Sequence, residues 1–107
     1  MATTANLPHP DRAGLLLPGV LFALSDPDRL DIVRQLRSGP LDMADCSLSN
    51  PDMPKSTKSH LMKVLREAGV IRNEANGRGR RLTLRSEDLE ARFPGLLAAV
   101  LDAPAAG

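Results

Sequence analysis

At 107 residues the chain has room for one domain with a modest core, and none for a second. Hydrophobic residues make up 42% and charged residues 25%, ordinary values for a globular domain. Two Phe are the only aromatics, so the core must be aliphatic and stacking platforms for single-stranded nucleic acid are disfavoured. The net charge of +1 conceals an asymmetry: from Lys55 to Arg85 nine Lys/Arg face two Glu, whereas the rest of the chain holds five basic and eleven acidic residues. One basic block in an otherwise acidic chain has the form of a polyanion-binding face; a solvated charged helix and hairpin is the plainer alternative.

Residues 1–12 (MATTANLPHPDR) carry two prolines and no pattern, which predicts a flexible arm, with one folded domain over 13–102 and a frayed tail over 103–107. They contain no basic stretch followed by an apolar one, so no signal peptide is expected. Leu15 to Leu24 form an apolar helical segment that Pro18 either begins or bends. It falls well short of the ~20 residues needed to cross a bilayer, so no membrane partner and a cytoplasmic location are expected. With so few polar residues it belongs in the core or a subunit interface.

Asp26-Pro27 is a strong helix start, an N-cap followed by proline at the first position, and the helix it opens puts Leu30, Val33 and Leu36 on one face until Gly39-Pro40 stops it. Leu41 to Leu48 is expected as a short helix and Ser49 to Pro54 as a turn. From about Lys55 to Ala68 a helix is predicted, with Leu61, Met62, Leu65 and Ala68 on one face and Ser56, Ser59, His60 and Lys63 on the other; Gly69 ends it. The period then changes. Val70 to Glu74 and Arg80 to Arg85 read as the strands of a hairpin around a glycine-rich turn, with Arg78, Arg80 and Arg81 near its tip. Ser86 is expected to cap a last helix, with Glu87 and Asp88 favourable in its first turn, and Pro94 to break or kink that helix before Leu96 to Leu101.

Helix, short helix, turn, basic helix and basic hairpin, in that order, predict a mainly α fold with a small β-hairpin, a winged helix-turn-helix that works as a dimer. The motifs narrow this further. Leu24-Ser25-Asp26-Pro27-Asp28-Arg29-Leu30-Asp31-Ile32-Val33 resembles the AL-x-DP-x-RL-x-I opening of ArsR-type repressors, and Ser59 to Ile71 (SHLMKVLREAGVI) is similar to their S-x-H-L-x-x-L-x-x-AGL helix. The resemblance covers roughly residues 20–90. It implies a sequence-specific transcriptional repressor that binds double-stranded DNA at an inverted repeat and dimerises through its first and last helices. Lys55, Ser56, Thr57, Ser59, His60 and Lys63 would then lie at the groove, with Arg78, Arg80 and Arg81 on the wing. The sequence departs from the family pattern at Leu61, where a histidine is frequent, and at Lys58, which is often apolar.

Many such repressors hold metals through a Cys-x-Cys pair, whose positions fall here near Met43 and Asp45; the sole thiol, Cys46, is one residue away. The last helix has Asp88, Glu90 and Asp102 but no His. No metal site and no cofactor are therefore expected. Cys46 is either a small buried hydrophobe or a redox-responsive thiol. No phosphate loop, paired-carboxylate spacing or Ser-His-Asp set supports an enzyme. A winged-helix module that binds a protein partner is the alternative from another class, which steep salt dependence would separate from DNA binding.

Overall fold

The computed structural model describes residues 7–46 and 52–103. A 3-10 turn at Arg12–Gly14 leads into α1 (Leu17–Leu24), where Pro18 occupies the first turn and so begins the helix rather than bending it. α1 buries Val20, Ala23 and Leu24 and leaves Leu16, Leu17, Leu21 and Phe22 exposed. α2 (Pro27–Leu36) starts as expected: the Asp26 carboxylate accepts the Arg29 N–H at 3.0 Å. The same short motif closes the helix before it. Arg29 is buried, and its guanidinium donates to the carbonyl of Ala23 (2.8 Å) at the end of α1 and to that of Phe22 (3.0 Å), which also accepts from the Ser25 N–H and hydroxyl.

The segment expected as a short helix from Leu41 differs. Leu41–Asp42 form β1, paired antiparallel with β3 (Leu41 opposite Leu82, Asp42 opposite Arg81), and only a 3-10 turn, Met43–Asp45, follows. Pairing with a strand more than thirty residues away outweighs the weak local preference. Residues 47–51, with part of the expected turn at Ser49 to Pro54, lie outside the described residues, as do 1–6 and 104–107.

α3 (Lys55–Glu67) packs Leu61, Met62 and Leu65 into the core. Gly69 ends it at φ +83°, and a Cβ there would lie 1.9 Å from Leu15 Cδ2, so both conformation and space require glycine. β2 (Ile71–Asn76) and β3 (Gly79–Leu84) form the hairpin, and the strand order β1-β3-β2 leaves β2 at an edge. The turn is tighter than expected, since Asn76 pairs with Gly79 and only two residues connect the strands. The last helix is two helices, α4 (Ser86–Arg92) and α5 (Leu96–Leu101), separated at Pro94-Gly95 with Gly95 at φ +82°. Ser86 is the first residue of α4 and its side chain makes no capping bond; the N-cap position is Arg85. The three-stranded sheet and α1, α2, α3 and α4 share one aliphatic core. Among the described residues no helix is long and apolar enough to cross a membrane.

Candidate nucleic-acid interface

α3 sorts its side chains by periodicity. Lys55, Ser56, Thr57, Ser59, His60 and Lys63 are all exposed, while the opposite face is buried. Pro54 at the N-cap has no side-chain oxygen, so it cannot satisfy the first backbone N–H groups itself, and the positive end of the helix dipole lies on the same face. Lys58 stands apart: it is half-buried and donates to the Met43 carbonyl at 3.1 Å, fixing α3 to the 3-10 turn before it. A charged residue serves where an apolar one was expected because its stem packs while its ammonium finds a carbonyl.

The hairpin supplies the second part. Arg78 and Arg81 are exposed, and Arg81 stands opposite Asp42 on one side and Glu74 on the other. Arg80 is half-buried: its Nε donates to Asn73 Oδ1 and its Nη2 to the Asn73 carbonyl, both at 2.8 Å. Asn73 is itself buried, a residue that its position in a short strand did not single out. Asn76 donates to Asp42 at 2.9 Å and joins the hairpin to β1. Between hairpin and α3 runs a groove of about 470 Å³ bordered by Lys55, Lys58, Ser59, Arg78 and Arg80. Four cations along one groove favour a polyanion.

Not every cation of the basic block belongs to this surface. Arg66 and Arg85 are buried; Arg66 donates to the Pro8 carbonyl (2.5 Å) and Arg85 to the Pro10 carbonyl (2.6 Å), with Arg85 also paired to Asp88 at 2.9 Å. Arg72 is half-buried and lies 3.9 Å from Asp88. The hydrogen bond from Arg12, aided by Arg85, holds the Asp88 carboxyl below the usual range against the opposing effect of burial. Arg66 and Arg85 fasten the arm instead of facing solvent, so sequence charge overstated the available charge.

Cys46 is a free, buried thiol, and burial pushes its pKa up despite the nearby Lys58. A buried thiol kept protonated is a poor nucleophile. Among the described residues no three His, Cys, Asp or Glu side chains gather into a group able to hold a metal ion.

The model of the arsR family of bacterial regulatory proteins matches residues 26–73, from the cap of α2 into β2. The HTH-type transcriptional regulator NmtR of Mycobacterium tuberculosis is 37% identical over 73 residues, 68% of this chain and 60% of that protein, so the match spans three-fifths of the relative's length. A crystal structure of an ArsR family transcriptional regulator superposes with a TM-score of 0.63 at 23% identity, over 82% of this chain and 98% of that one. The transcriptional repressor BigR from Xylella fastidiosa gives 0.58 at 24% identity, over 82% and 88%. At those identities the two structures establish the shared fold.

Proposed function

We propose that the chain, whose residues 26–73 match the model of the arsR family of bacterial regulatory proteins, is a DNA-binding transcriptional repressor that acts as a homodimer on an inverted-repeat operator. The observation that carries this reading is the exposed polar row Ser56, Ser59, His60 and Lys63 on α3, flanked by Arg78 and Arg81 of the wing. Short polar side chains on a helix in the major groove reach base edges, and wing cations lie along phosphates. Lys55 and Thr57, on the first turn of α3, would contact the backbone there.

A dimer is supported by the apolar surface of α1, where Leu16 and Phe22 keep 65% and 63% of their area exposed. For two large hydrophobes, one at the N-cap of an eight-residue helix and one within it, burial across a two-fold axis is the economical solution. α5, with Leu96 and Val100 half-buried, is assigned the other part of the interface. No enzymatic role is proposed. An inducing signal other than a metal is proposed because the sequence has one cysteine, no Cys-x-Cys pair and no His after His60, and the burial of the Cys46 thiol favours a packing role over a redox one. Zinc, cadmium or arsenite is expected to change operator affinity by less than a few-fold.

The deciding experiment selects a preferred site from random DNA, then titrates it and an unrelated duplex at two salt concentrations. The expected result is steep salt dependence on both, and a loss of roughly 1–3 kcal/mol for His60→Ala on the selected site with much less on the unrelated one. Equal loss on both would mean that α3 does not read bases. A salt-insensitive protein with no preferred site would instead support the protein-binding module.

A further inference from the structure

Residues 7–12 are held by three elements at once. The Pro8 carbonyl accepts from Arg66 on α3 at 2.5 Å, the Pro10 carbonyl accepts from Arg85 at the end of β3 at 2.6 Å, and Arg12 pairs with Asp88 on α4 at 2.8 Å. Between them, His9 Nε2 accepts the backbone N–H of Asn73 at 3.0 Å. That N–H lies on the free side of the edge strand β2, so the imidazole satisfies a donor the sheet leaves over. Asn73 in turn holds Arg80 of the wing through both its side chain and its carbonyl. Upstream, Leu7 lines a groove of about 370 Å³ together with Ser59, Lys63, Arg66 and Arg80.

We propose that residues 7–12 are a strap that positions α3 and the wing relative to each other for DNA binding, and that His9, accepting as a neutral imidazole, is the positioning residue on which its hold depends. The inference rests on the DNA-binding reading above. Its chemistry is local. A protonated Nε2 is a donor facing the Asn73 N–H donor, so the bond is lost and two like dipoles oppose each other.

The surroundings also disfavour the cation. Arg66 on α3, Arg72 on β2 and Arg85 after β3 face His9, with Glu74 on β2 the opposing carboxylate; Asp88 on α4 is already engaged by Arg12 and Arg85. Burial first, then these arginines, lower its pKa from the ordinary 6.5. The held strap therefore binds a proton less readily than the released one. Its full hold is present above about pH 6.5, and each unit below that lowers the held-to-released ratio by up to about tenfold, until the held form itself protonates.

The test follows the wild-type chain and His9→Gln between pH 7.5 and 5. Hydrogen exchange of the Asn73 amide, corrected for the intrinsic pH dependence, reports the hold. Affinity for the selected DNA site reports the positioning, and comparing the two proteins cancels pH effects common to both. As the pH falls, wild type should lose Asn73 protection and lose DNA affinity on the order of tenfold more than His9→Gln, whose profiles should be flatter. Asn73 protection that does not change with pH, or changes equally in both proteins, overturns the role of His9. Loss of protection with parallel affinity profiles overturns the positioning role while leaving the repressor reading intact. No preferred DNA site at any pH overturns both the repressor reading and the positioning role.

Discussion

Arginine does two different jobs in two regions of this small domain. On the wing, Arg78 and Arg81 project into solvent, where a guanidinium can meet a polyanion. At the end of α1 and beneath the strap, Arg29, Arg66 and Arg85 are buried and donate to backbone carbonyls, closing α1 and holding the strap. The planar fork suits both uses, because it remains charged in either setting and directs several donors at once. Charge density along a sequence is thus an upper limit on the charge a surface presents.

The largest effect should come from the side that holds the strap. Gly69→Ala forces a side chain into a left-handed conformation and against Leu15, and should cost roughly 2–4 kcal/mol in chemical denaturation. A loss under about 1 kcal/mol would mean that Leu15 and the chain preceding it yield easily. Next, Arg66→Ala removes a charge-assisted bond to Pro8 from a buried position and should cost about 1.5–3 kcal/mol of stability. Arg81→Ala should do the reverse. Its stability is expected within about 0.5 kcal/mol of wild type, while affinity falls on specific and unrelated DNA together and the salt slope flattens by about one. If Arg66→Ala weakens DNA binding without destabilising the fold, the two groups of arginines are not separate in function.

The smallest effect concerns acid. Asp88 is held ionised by Arg12 and Arg85, so its contribution is present above the ordinary carboxyl value of 3.8 and is lost as pH falls through its lower folded value. Asp88→Asn should be less stable at neutral pH and flatter in its acid dependence below pH 4. Parallel acid unfolding curves for the two proteins would show that Asp88 anchors nothing.

Local chemistry was enough to fix much of this protein. The Asp26-Pro27 start of α2, the two-faced α3, the stop at Gly69 and the hairpin each depend on neighbours within a few residues, so periodicity and turn chemistry reveal them. The candidate DNA-facing row on α3 was legible for the same reason. The tertiary structure decided the rest. Leu41–Asp42 became a strand because Leu82 and Arg81 lie beside it, and Lys58 was tied to the 3-10 turn by the Met43 carbonyl. Arg80 was tied down by a buried Asn73, and the patternless stretch from Pro8 to Arg12 gained its place from Arg66, Asn73, Arg85 and Asp88. Nearly all these partners lie tens of residues apart, and a backbone carbonyl that waits for a distant guanidinium leaves no trace in local composition.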